Sequence, residues 1–190
     1  MILSNIEILN CLEAGHFKID PSPGADPGKS PFNTSAIDLH LSNQIIVPKT
    51  DQPVSVDLSE GGIAKYLSNN SDAHSITDHQ PYQLSRHEFV LANTVERVSF
   101  SLSNDGPFFA ARVEGRSSLA RCGIHVHFTA PVIHAGFEGT ITLEITNLGF
   151  ATFTLRPGMA ICQLVIEEVK GKPMMASSQF QGQSSPAGNI

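Results

Sequence analysis

The chain lacks the sequence features that mark several large classes of protein. Its 190 residues contain no apolar run near the roughly 18 residues that a membrane-spanning helix requires. The opening segment, MILSNIEILNCLEAG, has no basic stretch ahead of an apolar block, so it is unlike a secretory leader. We therefore expect a cytoplasmic protein that does not interact with membranes.

Cysteine is scarce and is not arranged as a framework. Cys11, Cys122 and Cys162 are odd in number and far apart in the sequence. This spacing argues against a disulfide scaffold and against a CxxC metal clamp. Since free cysteine is usually a buried residue, we expect three reduced thiols that lie mostly in the core.

Positive charge is also scarce, because 12 Lys and Arg stand against 18 Asp and Glu, a formal net charge of −6. This balance disfavours a nucleic-acid partner, which needs a broad basic surface. A small anion needs only local positive charge, and Arg112, Arg116 and Arg121 lie within ten residues of one another. With Gly115 and the serines that follow Arg116, they are either three solvated arginines or a phosphate-binding segment. The Walker loop, GxGxxG and GxSxG are absent from the sequence.

The pattern of apolar residues predicts a mostly β protein that begins with a short helix. Ser4 is a suitable N-cap with Glu7 three residues later, and Gly15 ends the helix. From residue 36 onward the apolar period is two, which is typical of strands. The predicted strands are 36–41, 44–48, 53–58, 87–92, 96–103, 108–113, 124–129, 140–146, 150–155 and 160–167. Many short strands favour an antiparallel barrel or sandwich.

Two polar segments stand outside this pattern. Residues 60–82 are predicted to form a surface excursion with one helical turn near residues 63–67. Residues 171–190 are predicted to be a flexible tail that follows a single β domain over residues 1–170. The tail contains an aromatic residue beside amide side chains, FQGQ at residues 180–183. It is either a lid that orders on a ligand or a disordered end.

Glu144 is the charged residue whose position in the sequence suggests a role in chemistry. In the predicted strand 140–146, Ile141, Leu143 and Ile145 share one face, and Glu144 lies among threonines on the other. Such a glutamate is either on the solvent side of the sheet or in a cleft. In a cleft, a raised pKa would let it pass protons.

Histidines cluster near this strand without the spacing of a metal site. His125 and His127 share one face of the predicted strand 124–129, and His134 follows. Neither a cysteine nor a carboxylate stands at a suitable distance from them in the sequence. We therefore expect no metal held by protein side chains.

Four segments, in this order and spacing, resemble the dCTP deaminase branch of the dUTPase-like superfamily: GRSSLAR, VHFTAPVI, GFEGTITLEITNLG and LRPGMAICQLV. The opening ILSN, the strand at residues 36–41 and the FQGQ tail also match. The resemblance covers nearly the whole chain, and the 60–82 excursion is the part that matches poorly.

The resemblance implies a distorted antiparallel β-barrel or jelly-roll-like fold of the dUTPase type. It implies a homotrimer whose active sites lie between subunits, with the tail closing over the nucleotide. The implied reaction is zinc-independent deamination of dCTP to dUTP and ammonia, with Mg²⁺ entering only on the triphosphate. The zinc-deaminase signature, HxE followed by PCxxC, is indeed absent from the sequence.

The resemblance also implies roles for individual residues. Glu144 would be the general base and acid, and Arg121 would orient it. Ser117 and the carbonyl of Ala130 would hold the attacking water. The implied substrate-binding residues are Arg116, at the triphosphate, and Ser118, Phe128, Thr129, His134, Gln163, Gln179, Phe180 and Gln183. Many relatives are inhibited by dTTP through the loop preceding Ala130, and the sequence leaves that point open.

The chain departs from the family pattern at two places. His134 stands where the family has an aspartate that, in relatives cleaving dUTP, contacts the sugar and helps activate water. Gln179-Phe180 stands where the family has Lys-Tyr, which removes a positive charge near the phosphates. Two alternatives therefore remain. One is a dUTP diphosphatase or a bifunctional enzyme, which His134 disfavours, and the other is a nucleotide-binding sensor with weak catalysis.

Overall fold

The structure, a computed structural model, describes residues 1–49, 55–57, 62–103, 105–176 and 181–187. Within these ranges the helices are α1 Asn5–Glu13, α2 Ile63–Asn69 and α3 Ser117–Arg121. The strands are β1 Lys18–Asp20, β2 Phe32–Asn33, β3 Ala36–Pro48, β4 Ser71–Ser75, β5 Tyr82–Leu84, β6 Phe89–Ser99, β7 Phe108–Gly115, β8 Ile124–His125, β9 Val132–Ile133, β10 Glu138–Asn147, β11 Phe153–Leu155 and β12 Ala160–Val169.

One curled antiparallel sheet dominates the fold. Its strands follow the order β8-β10-β6-β3-β12-β7-β9, with β1 paired to β6 and with β2 and β4 paired to β3. Strands β5 and β11 form a separate two-stranded sheet. The sheet curls into a half-barrel, so the expectation of a mostly β, barrel-like fold with a short N-terminal helix is confirmed.

The alternation in β10 shows how the sequence builds the core. Ile141, Leu143 and Ile145 are buried, whereas Thr140, Thr142 and Glu144 on the other face are half-buried. Matching faces of β3, β6 and β12 pack into the same apolar cluster. Each fully buried aliphatic side chain contributes about 1.5–3 kcal/mol, so the core fixes the register of β10 and with it the position of Glu144.

Helix α1 begins as the sequence predicts. Ser4 is its N-cap, and the Ser4 hydroxyl accepts a hydrogen bond from the Glu7 backbone N–H at 3.3 Å. The Glu7 carboxylate turns along the helix and accepts hydrogen bonds from Asn10 and Cys11. Gly15 follows the helix with φ +72°, a left-handed conformation that favours glycine.

Several predicted strands differ from the observed ones. Strands 36–41 and 44–48 form the continuous β3, and 87–92 and 96–103 correspond to β6, which ends at Ser99. The prediction of a strand over 124–129 is wrong beyond His125, where β8 ends, because the Phe128 backbone N–H donates to the Glu144 carboxylate and not to a neighbouring strand backbone. His127 therefore does not share a strand face with His125. The predicted strand 53–58 lies largely outside the described residues.

The polar excursion contains more structure than its sequence predicts. Helix α2 confirms the predicted turn near residues 63–67, but the strands β4 and β5 were not anticipated. Strand β4 pairs with β3, yet four of its five residues are exposed, so it carries no apolar alternation. Among the described residues, no helix has the length and apolar content needed to cross a membrane.

Two of the three cysteines are buried, Cys11 and Cys162, and Cys122 is exposed. Burial, together with the nearby Glu7 carboxylate, raises the pKa of the Cys11 thiol to about 11. Burial also raises the pKa of the Cys162 thiol, and the carboxylates of Glu96 and Asp38 add to that shift. Both thiols therefore remain protonated at neutral pH.

We predict that Cys11 and Cys162 resist Ellman's reagent in the folded protein at about pH 8, because the reagent reacts with thiolates. Cys122 is expected to react as the single accessible thiol, and all three are expected to react in guanidinium chloride. The measurement is a thiol titration followed by absorbance. Cys122→Ser is the control, and rapid reaction of that folded variant would contradict the prediction.

Candidate active site

Glu144 lies in the middle of β10 and is held in place by the segment that follows β8. Its backbone N–H donates to the Val126 carbonyl at 3.1 Å. The Phe128 backbone N–H donates in return to Glu144 Oε2 at 2.9 Å. In the part of the chain that the structure describes, Oε1 accepts no hydrogen bond. The carboxylate is thus fixed through one oxygen and keeps the other for a ligand.

A cavity of about 430 Å³ opens beside this carboxylate. Its volume and its apolar lining with a few polar groups are typical of sites for small organic molecules. Four predicted site residues line it: Glu144, Ala130, His134 and Gln183. The other lining residues are Leu67, Leu91, Val113, His127, Val132, Ile133, Phe137, Ile141, Thr142, Pro186 and Ala187.

His127 is a site residue whose position the sequence did not reveal. Its Nδ1 atom is buried and has no hydrogen-bond partner among the described residues. A buried polar atom without a partner costs about 1–3 kcal/mol. His127 lines the same cavity as Glu144, so a bound ligand or water would satisfy this atom. The motif VHFTAPVI contains His127, but its position in the sequence indicates neither its burial nor its place beside Glu144.

Ser117, Ser118 and Arg121 lie on α3, outside the cavity. All three are exposed. Within the described ranges, their side chains have neither a hydrogen-bond nor an ion-pair partner. A single chain therefore separates the predicted catalytic residues into two groups, with Glu144 and Ala130 at the cavity and Ser117 and Arg121 on the surface.

Arg116 and Gln163 meet at a buried carboxylate, that of Asp38 on β3. Arg116 Nη2 forms an ion pair with Asp38 Oδ2 at 3.3 Å, and Arg116 Nη1 donates to the Ala160 carbonyl at 3.1 Å. Gln163 Nε2 donates to Asp38 Oδ1 at 2.9 Å. These two predicted substrate-binding residues thus belong to a second polar cluster, which the sequence reading did not identify.

The remaining predicted residues lie in the loop before Ala130 and in the tail. Phe128 is 52% exposed, and its ring contacts that of Phe89 with 5.8 Å between centroids. Thr129 is also exposed, and neither residue lines the cavity. Gln179 and Phe180 fall outside the described residues.

The described part of the tail, residues 181–187, lies along β10. The Gly182 N–H donates to the Glu138 carbonyl at 2.7 Å, and the Thr140 N–H donates to the Gln183 carbonyl at 3.0 Å. The Gln183 side chain is buried and donates to the Thr140 carbonyl at 2.9 Å. The tail thus adds a wall to the cavity that holds Glu144.

Among the described residues, no group of three or more His, Cys, Asp or Glu side chains is placed to hold a metal ion. His125 is exposed, whereas His127 is half-buried and lines the cavity. The described residues that line the cavity supply one carboxylate, Glu144, and two imidazoles, His127 and His134. These groups are suited to proton transfer and to hydrogen bonding of a heterocyclic ring.

Comparison with known proteins places these observations in a family context. A family model described as dCTP deaminase-like matches residues 2–169. The dCTP deaminase of Thermomicrobium roseum is 32% identical over 191 residues, which covers 98% of this chain and 91% of that protein. The dCTP deaminase of Haloarcula marismortui is 37% identical, with 98% and 92% covered.

A third relative and a solved structure extend the comparison. The protein of Methanosphaera stadtmanae named "dCTP deaminase, dUMP-forming" is 36% identical, with 97% of this chain and 91% of that protein covered. The 2'-deoxycytidine 5'-triphosphate deaminase of Agrobacterium tumefaciens shares the fold, with a TM-score of 0.63 at 17% identity. That alignment covers 88% of this chain and 48% of the solved one, so this chain spans about half its length.

Proposed function

Because the chain belongs to the dCTP deaminase-like family, whose model matches residues 2–169, we propose that it catalyses the hydrolytic deamination of dCTP to dUTP and ammonia. The observation that carries the proposal is the half-buried Glu144 carboxylate, fixed by the Phe128 N–H beside a cavity of about 430 Å³. With this activity, the protein would take part in pyrimidine deoxynucleotide metabolism, and the location we propose is the cytoplasm.

In the proposed reaction, water adds to C4 of the cytosine ring and the exocyclic amine leaves. Glu144 takes a proton from the water as the C–O bond forms, and it returns one to the departing amine as the C–N bond breaks. The reaction thus converts dCTP and water into dUTP and ammonia, and no atom changes its oxidation state. A positioned general acid–base group contributes roughly 10²–10⁴-fold in rate. The Ala130 carbonyl, at the same cavity, accepts a hydrogen bond from the attacking water.

Ser117 and Arg121 complete the site from a neighbouring subunit in a proposed homotrimer. Their exposure and their lack of partners within the described part of one chain support this arrangement. Ser117 holds the attacking water with Ala130, and Arg121 orients Glu144 and stabilises developing negative charge. An interface between subunits lets α3 of one copy meet β10 of the next.

Arg116 and Ser118 bind the triphosphate, which carries Mg²⁺ as part of the substrate. His134, Phe128 and Thr129 surround the base and sugar, and the loop that contains Phe128 and Thr129 is the place for inhibition by dTTP. Gln163, on β12, and Gln183, in the tail, also contribute to substrate binding. Gln179 and Phe180, with Gln183, form the closing lid.

The presence of His134 favours dUTP, and not dUMP, as the product. A carboxylate at this position would accept hydrogen bonds only, whereas a neutral imidazole donates one and accepts one. His134 lines the cavity with Glu144, so the side chain that would help a second water attack the phosphate chain is missing. His134 therefore disfavours the dUTP diphosphatase and bifunctional alternatives.

We predict that Glu144→Gln lowers turnover at least about 100-fold while dCTP binding persists, because the amide keeps the shape and loses the basic oxygen. Ammonia release and chromatography of dUTP measure turnover, and calorimetry measures binding. Glu138→Gln is the matched control, since Glu138 lies on the same strand and is exposed beside Arg97. Unimpaired ammonia release from Glu144→Gln would refute the assignment.

The product distribution provides an independent test. Incubation of the wild-type protein with dCTP and Mg²⁺ is expected to accumulate dUTP, resolved from dCTP and dUMP by chromatography. Direct formation of dUMP would show that His134 permits cleavage of the phosphate chain. Unchanged dCTP together with tight dCTP binding would instead support the nucleotide sensor.

Mixed assemblies test whether the site is shared between subunits. Glu144→Gln and Arg121→Ala are each expected to be inactive alone. After the two variants are refolded together in equal amounts, about one quarter of the sites combine an intact Glu144 from one subunit with an intact Arg121 from its neighbour. About one quarter of the activity is therefore expected to return. Variants refolded separately and then mixed are the control. Absence of recovery would show that both residues act within one chain.

A further inference from the structure

Asp38 is a buried carboxylate in the middle of the sheet, and three side chains converge on it. Only 7% of its surface is exposed. Its Oδ1 accepts hydrogen bonds from Asn33 Nδ2 and from Gln163 Nε2, both at 2.9 Å. Its Oδ2 forms the 3.3 Å ion pair with Arg116. We call Asn33, Asp38, Arg116 and Gln163 the Asp38 cluster.

The sheet fixes the direction of the Asp38 carboxylate. Gln163 on β12 is its cross-strand partner in the β3–β12 ladder, and Asn33 lies on β2, which pairs with the start of β3. The two amides thus approach Oδ1 from different strands and leave Oδ2 for Arg116. Because a buried charge is costly unless it is paired and hydrogen-bonded, each of these contacts stabilises the arrangement.

The guanidinium group of Arg116 is held by two contacts, although the side chain is partly exposed. Nη1 is bound to the Ala160 carbonyl and Nη2 to Asp38, yet 34% of the side chain is exposed. A guanidinium has five N–H donors in a planar fork, so these two contacts leave donors for an anion. Planar forks suit the paired oxygens of phosphate groups.

We propose that Asp38 is a positioning residue that aims Arg116 at the phosphate groups of the nucleotide. Asn33 and Gln163 keep the carboxylate in place, so Gln163 serves nucleotide binding through Asp38 and Arg116. The inference rests on the proposed function, because the phosphates are those of dCTP. It assigns a role to Asn33 and Asp38 and a new route of action to Gln163.

A second arginine–carboxylate pair in the same sheet offers a matched control. Arg112 Nη2 on β7 lies 2.7 Å from Glu167 Oε1 on β12, and the two side chains are 42% and 37% exposed. Exposed pairs of this kind contribute little to stability. Glu167→Gln therefore removes a carboxylate from an arginine of the same sheet without disturbing the Asp38 cluster.

The first experiment compares Asp38→Asn with Glu167→Gln. Loss of the charged partner is expected to raise KM for dCTP about tenfold and to leave kcat within about twofold, since one charge-assisted contact is weakened. The inhibition constant of inorganic tripolyphosphate is expected to rise by the same factor. Glu167→Gln is expected to leave all three constants unchanged. A fall in kcat with KM unchanged would overturn the proposal.

The second experiment repeats the substitution in an Arg116→Ala background. If Asp38 acts through Arg116, Asp38→Asn adds nothing further to KM there, whereas additive effects would overturn the proposal. Gln163→Leu keeps the charge of Asp38, and it replaces Asp38→Asn as the test variant if Asp38→Asn does not fold. It is expected to raise KM to a smaller extent, and only in the presence of Arg116.

Calorimetry separates a failure of this inference from a failure of the proposed function. If the wild-type protein binds dCTP without deaminating it, the same cycle is measured as dCTP affinity. One outcome is that Asp38→Asn binds dCTP more weakly than the wild type, while the same substitution has no effect in the Arg116→Ala background. That result would support the positioning role in a protein that does not deaminate dCTP. Equal affinities of wild type and Asp38→Asn would refute the positioning role whether or not dCTP is deaminated.

Discussion

The two hydrogen bonds between Glu144 and the segment after β8 hold the candidate site together. The Glu144 N–H binds the Val126 carbonyl, and the Phe128 N–H binds the Glu144 carboxylate. The first bond lies on the side of β10 that pairs with β8, and the burial of Leu143 and Ile145 fixes which face of β10 carries the Glu144 side chain. The second fixes a carboxylate at the edge of a cavity. The apolar face of one strand thus determines where an acid–base group stands on its other face.

The same sheet also supports charged groups in its interior, each with a defined partner. Glu96 on β6 accepts hydrogen bonds from the His40 backbone N–H at 2.9 Å and from the His40 ring at 2.6 Å. Asp38 lies two residues before His40 on β3 and is bound by two amides and a guanidinium. Buried carboxylates tolerate this environment because several donors replace the lost water. The sheet can therefore direct side chains such as Arg116 as firmly as it directs the core.

Much of the fold and part of the site could be predicted from the sequence. The period-two alternation located β10 and the polar face that carries Glu144, and Ser4 marked the start of α1. The predicted strand over 124–129 was wrong beyond His125, because the alternation of Ile124, Val126 and Phe128 in the sequence continues past the end of β8. Strand β4 was missed because exposed pairing needs no apolar period. Asp38 was overlooked as well, since its partners Gln163 and Arg116 are distant in sequence and become neighbours only through strand pairing.

The two groups of predicted site residues are held by different means, and this difference bears on how the site works. Glu144 and Arg116 are bound by neighbours within the chain and are therefore oriented before any ligand arrives. Ser117 and Arg121 are exposed, and in the described part of one chain their side chains have neither a hydrogen-bond nor an ion-pair partner. In the proposed trimer, the assembly would provide their partners. Because the carboxylate is preformed in one subunit and the guanidinium would come from a neighbour, catalysis would depend on association.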